Sequence, residues 1–98
     1  RYWCAKDEEQ PWLQIDLGQS REISRVSIME KVSRIRSYEL RYTDGDSWNT
    51  FHEGGELGNM SVLLAEPIKA RKVRLQITGY ASDEDRQGPM IHIFDVFQ

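Results

Sequence analysis

The sequence of 98 residues predicts an all-β domain built as an antiparallel sandwich, with no long helix. Three observations point there. Apolar and polar residues alternate at period 2 in run after run, as half-buried strands require. No window of about 11 residues holds the i, i+3, i+4 spacing of an amphipathic helix. The runs are short and separated by turn residues, which at this spacing favours a sandwich or barrel over a helix-covered parallel sheet.

Taken in order, "WLQIDL" places Leu13, Ile15 and Leu17 on one face and stops at Gly18. In "ISRVSIM", Val26 and Ile28 are in step and Ile23 is not, so a bulge is expected near Ser24 or Arg25. "SYELRYT" turns Tyr38, Leu40 and Tyr42 inward and Glu39 and Arg41 outward. "DGDSW" reverses the chain, because Asp-Gly supplies the positive φ that a tight reversal needs. "NTFHE" is a short strand, and "MSVLL" is another that ends at Glu66-Pro67. "RKVRLQIT" aims Val73, Leu75 and Ile77 inward and Arg74 outward, where its truncation should cost within roughly 0.5 kcal/mol. "MIHIFDVF" closes the chain. Gly79 to Pro89 is the longest irregular piece. Trp3 and Trp12 bracket a surface loop and are expected to bury their rings at its base, and Trp48 is expected to cap the end of the barrel.

Composition narrows the function. The chain is one small domain, 39% hydrophobic and 30% charged, without an apolar run of the roughly 20 residues that a membrane span needs. A net charge of −3 argues against nucleic acid as partner, since phosphate tracking needs a basic stripe. The basic residues of "RIRSYELRY" and "KARKVRLQ" alternate with apolar ones, as the solvated face of a strand does. Cys4 is the single cysteine, so no disulfide forms within the chain, and it is read as buried filler rather than a nucleophile. Glu8/Glu9 and Asp83/Glu84/Asp85 lie in loops that do not hold two acids at a fixed separation across a cleft, as glycoside hydrolysis demands. His52 and His92 have no metal or triad motif beside them. The domain on its own is therefore read as non-catalytic.

Four stretches carry a family resemblance: "YWCAKDEEQPWLQIDLG", "RIRSYELRYTDGDSW", "ARKVRLQIT" and "IHIFDVF", in this order and spacing. From Tyr2 to Phe97 the chain resembles the discoidin family, the coagulation factor V/VIII type C domains, in its sugar-binding branch, carbohydrate-binding module family 32. The short "EKVS" loop before "RIRSYELRY" looks most like the modules attached to bacterial α-L-fucosidases. The resemblance implies a jelly-roll sandwich whose first strand and loop lie upstream of Arg1, in a single domain spanning residues 1–98.

That resemblance also implies chemistry. Related sugar modules hold a structural Ca²⁺ between the N-terminal loop and an acid of the last strand. Here Ile93 stands at the first acidic position of that strand, so Asp95 is the metal ligand implied, with the Cys4 or Ala5 carbonyl beside it. The His, Arg and Asn of galactose-binding relatives have no counterparts, since Cys4 follows the first Trp and the next loop is cut to Glu30, Lys31, Val32 and Ser33. The groups left on that rim to bind a glycan are Lys6, Asp7, Glu30, Lys31 and Arg34, with Tyr80 as a stacking ring. Three loops, Cys4 to Gln10, Glu30 to Arg34 and Gly79 to Gly88, should meet there.

The expected role is an accessory module that binds a glycan or terminal sugar weakly. It would belong to a secreted, periplasmic or cell-surface glycoside hydrolase such as an α-L-fucosidase, with the catalytic domain of the same polypeptide as partner. Two alternatives stand beside it. One is a purely structural or protein-docking module without a sugar ligand. The other is a phospholipid or cell-surface adhesion domain, which in the clotting factors relies on apolar loop spikes and a terminal disulfide, neither visible here.

Overall fold

In the computed structural model, residues 3–6, 10–82 and 87–98 are described, the first four for their backbone only. Six strands form one antiparallel sheet: β1 (Trp3–Lys6), β2 (Trp12–Val32), β3 (Ile35–Thr43), β4 (Asn49–Gly54), β5 (Asn59–Tyr80) and β6 (Gln87–Phe97), in the order β1-β6-β2-β5-β3-β4. Among the described residues no helix is long and apolar enough to cross a membrane.

The strands are fewer and longer than the runs in the sequence. "WLQIDL" and "ISRVSIM" belong to one strand of 21 residues, β2, and "MSVLL" and "RKVRLQIT" to one of 22, β5. Each bends from one layer of the sandwich to the other. The first half of β2, from Trp12 to Asp16, pairs with Lys72 to Gln76 in the layer that holds β3 and β4, and the second half pairs with β6. At the bend the ladder breaks twice, between Asp16 and Arg21 and between Ile23 and Arg25.

The local chemistry suits both breaks. Gly18 takes φ +82°, a left-handed backbone that residues with a Cβ avoid, and its amide donates to Asp16 Oδ1 at 2.8 Å. The second break is the bulge that the phase slip of Ile23 predicts. Opposite it, the partner register jumps from Ile68 to Leu63, so Pro67 sits where the ladder requires no amide donor.

The inward faces follow the alternation. Ile23, Val26 and Ile28 of β2, Ile35 and Leu40 of β3, and Val73, Leu75 and Ile77 of β5 are each at most 1% exposed, and Tyr38 is buried with them. Burying each aliphatic side chain contributes about 1.5 to 3 kcal/mol. Leu13, Leu17 and Tyr42 pack half-buried against this cluster.

Two tryptophans stand elsewhere than expected. Trp12 is 49% exposed, and Trp12 and Trp48 sandwich Arg74 on the outer face, its guanidinium carbon 4.3 Å and 4.2 Å from the two ring centres. Gln14 Oε1 accepts from Arg74 Nε at 3.2 Å and from its Nη2 at 2.9 Å. Arg74 does point outward, but into a cage. Arg41, its cross-strand neighbour, and burial together lower its pKa, burial being the larger cause. Period-2 patterning sorts inside from outside; it says nothing of which outward groups find each other across strands.

Candidate functional site

The loop end is where β2 passes into β3, β4 into β5 and β5 into β6. β6 gathers two segments distant in sequence, with Lys6 of β1 opposite Gln87 and Val32 of β2 opposite Met90. Arg34 then joins its own turn to the third segment. Its Nη1 donates to the Gly88 carbonyl at 2.9 Å, and its carbonyl accepts from the Ala81 amide at 2.9 Å. Ile35 faces Tyr80 across the β3–β5 ladder.

Glu30 holds this end together from within. The turn between β2 and β3 leaves the amides of Arg34 and Ile35 without strand partners, and the carboxylate receives both on Oε1, at 2.9 Å and 2.8 Å. Its Oε2 accepts from the Gly58 amide at 2.8 Å, and the Glu30 amide returns a bond to the Gly58 carbonyl at 2.8 Å. Gly58 has φ +58°, so the turn into β5 favours glycine there. Hydrogen bonds to a carboxylate are short and roughly twice as strong as neutral ones.

At 8% exposure Glu30 is therefore a clamp for three backbone amides and is not available to a ligand, contrary to its expected place among the rim donors. The signal was in the alternation, because Glu30 follows Val26 and Ile28 in phase.

The other rim residues divide. Lys31 is exposed, while Arg34 and Tyr80 are half-buried, and Tyr80 packs part of its ring on the core. All three are engaged with neighbours. Val32, which the sequence did not single out, puts an apolar side chain 40% exposed between Lys31 and Ser33. Lys6 is described for its backbone alone, and Asp7 lies outside the described residues, as do Glu8, Glu9 and the acids at 83–85.

The calcium ligands implied by the resemblance do not come together. Cys4 pairs with Met90, five residues along β6 from Asp95, a separation of about 16 Å at the rise of a strand. Ca²⁺ ligands sit about 2.3–2.6 Å from the ion. Asp95 is exposed opposite Ser27, and among the described residues no group of three or more His, Cys, Asp or Glu could hold a metal.

The described turns at this end stand on a buried core, the arrangement in which surface loops vary while a rigid scaffold holds its shape. A model of the F5/8 type C domain matches residues 1–91, and the chain belongs to that family.

Solved structures agree on the fold. Chitosan-binding module 1 of a chitosanase/glucanase from Paenibacillus sp. IK-5 is 21% identical over 99% of this chain and 76% of its own, with a TM-score of 0.84. Chitosan-binding module 2 of that enzyme, in complex with chitotriose, is 22% identical over 99% of this chain and 77% of its own, with a TM-score of 0.85. A Ruminococcus gnavus GH29 fucosidase in complex with fucose is 28% identical over 99% of this chain, with a TM-score of 0.79. This chain spans 20% of that enzyme.

Proposed function

We propose that the domain is a non-catalytic glycan-binding module that recognises sugar through the loop end, as an accessory to an extracellular glycoside hydrolase of the α-L-fucosidase type. The observation that carries this reading is the bonding of Arg34 to Gly88 and Ala81, which ties both ends of the β5–β6 connection to the turn after β2. Two kinds of relative lend support: chitosan-binding modules derived from a chitosanase/glucanase, one in complex with chitotriose, and a GH29 fucosidase a fifth of whose length this chain matches.

The turn between β2 and β3 is short and Glu30 is withdrawn into the fold, so few donors on that turn remain for a sugar. A site with few hydrogen bonds binds in the range of roughly 0.1 to 1 mM, about −4 to −5.5 kcal/mol. Amide-resolved NMR titration with fucose, galactose and chitotriose tests the proposal. Saturable shifts in Lys31–Ile35 and Gly79–Ser82 are expected. Their absence at tens of millimolar of all three sugars would leave a structural or docking module.

A further inference from the structure

The opposite end of the sandwich carries a second concavity that the resemblance does not account for. The turn from β3 to β4, Asp44 to Trp48, stands between two depressions that meet at Gly45. One, of about 480 Å³, is lined by Tyr42, Asp44, Asp46, Ser47, Asn49 and Lys69. The other, of about 210 Å³, is lined by Thr43, Arg71 and Lys72. The larger is an open depression with a mainly polar lining, of the kind that would hold a ligand against its surface rather than enclose it.

Gly45 is informative here. Contrary to the positive φ expected of the Asp-Gly turn, its φ lies outside the left-handed region, and a Cβ added to it would meet nothing within 4 Å. Neither backbone conformation nor packing requires glycine at this position. Gly45 lines both depressions, and no side chain stands between them at this point.

The wall beside Gly45 is held from both sides. The Gly45 amide donates to Oγ1 of buried Thr43 at 3.1 Å, and the Ser20 hydroxyl bonds Asp44 from the β2 bend. A wall fixed before binding loses less entropy when a ligand arrives.

The lining selects a chemical class. Asp44 and Asp46 accept hydrogen bonds, Lys69 donates them, and Asn49 and Ser47 do both, which suits hydroxyls that donate and accept in turn. Tyr42 is set edge-on by Phe51, with ring centres 5.7 Å apart and planes at 67°, and it supplies the one aromatic wall. A polyanion would meet two carboxylates and a polycation the Lys69 ammonium, so the mixed lining favours a neutral ligand.

We propose that this cleft is a second carbohydrate site, taking a neutral pyranoside whose neighbouring hydroxyls bond Asp46 and Asn49 and whose C–H face lies toward Tyr42. With the rim at the other pole, a single domain would bridge two sugar units of a polymer and hold it with avidity.

Amide-resolved NMR titration of the 98-residue protein with fucose, galactose, glucose and cellotriose tests this, with chitotriose as a charged control. The rim and the cleft report through different residues, so either site can fail alone. Saturable shifts at Gly45, Ser47, Asn49 and Lys69 with a neutral sugar are expected. Asp46→Ala or Asn49→Ala should weaken them by about tenfold, and Gly45→Phe should abolish them without disturbing the rim. Three results would overturn the proposal: no shift in the cleft at about 50 mM of any neutral sugar, shifts with chitotriose alone that vanish in high salt, or shifts that survive in Gly45→Phe.

Discussion

Glu30 and Gly58, 28 residues apart, exchange two hydrogen bonds of 2.8 Å, side-chain carboxylate to amide one way and amide to carbonyl the other. This pair ties the turn before β3 to the turn before β5, and both face the rim. Glu30→Ala would strand the amides of Arg34, Ile35 and Gly58 and is expected to destabilise the domain by about 3 to 5 kcal/mol. Glu30→Gln, which keeps one accepting oxygen, should fall between wild type and alanine. Urea denaturation measures both, and an alanine variant within about 0.5 kcal/mol of wild type would remove the clamp from this account.

The cage around Arg74 sets a second expectation. Two cation–π contacts and two bonds to Gln14 are lost in Arg74→Ala, which should cost about 1 to 3 kcal/mol rather than the near-zero cost expected of a free strand-face cation. Arg74→Lys should recover little, because an ammonium offers no planar fork to the rings and Gln14 together. Leu75→Ala, at a fully buried position, should cost about 2 to 5 kcal/mol. The order Leu75 above Arg74, with both above exposed Ser61→Ala, is what a denaturation series should return.

Alkaline pH should find Tyr38. Burial raises its pKa above the ordinary value of 10.0, and its hydroxyl lies 3.2 Å from His52 Nε2. The neutral phenol is thus favoured in the folded state. Its contribution is complete below pH 10.0 and is lost as pH rises above that value toward the raised folded pKa. Wild type should lose stability as pH rises above 10.0, and Tyr38→Phe should lose less over the same rise. Parallel losses in the two proteins would show that Tyr38 is not the responsible group.

Calcium should act through no site built on Asp95. Asp95→Ala is expected to leave the melting temperature unchanged in millimolar Ca²⁺ and in EDTA alike, since the β1 carbonyls lie about 16 Å away along β6. A calcium-dependent rise that disappears in the variant would reverse this.

Binding at the rim should be sensitive to Arg34 and Tyr80. Arg34→Ala removes the bond to the Gly88 carbonyl and should weaken sugar binding by freeing Gly88 from the turn after β2, with little loss of global stability. Tyr80→Ala should weaken it as well, at a larger cost in stability because its ring packs on the core. Glu53→Ala, exposed on β4, serves as the neutral comparison, since Lys72 lines the base cleft.

Read alone, the sequence determined the class, the family and most of the inward faces. Val26, Ile28, Tyr38, Leu40, Val73, Leu75 and Ile77 are buried as the alternation requires, and the slip at Ile23 marks a real break in the ladder. Those features are local, because side chains of a strand take opposite faces in turn whatever the strand pairs with.

What only the tertiary structure decided depends on contacts between distant segments. Gly18 and Pro67 read as strand ends, yet β2 and β5 bend through them, because two layers joined by continuous strands keep the ladder intact on either side of the bend. Trp12 reads as a loop anchor and Trp48 as a cap on the barrel end, yet register places them across strands around one guanidinium. By alternation Glu30 points inward with Val26 and Ile28, while its charge suggests the rim; the tertiary structure decides for the interior, because three backbone amides left without partners at the turns must be satisfied by something, and one carboxylate reaches them all.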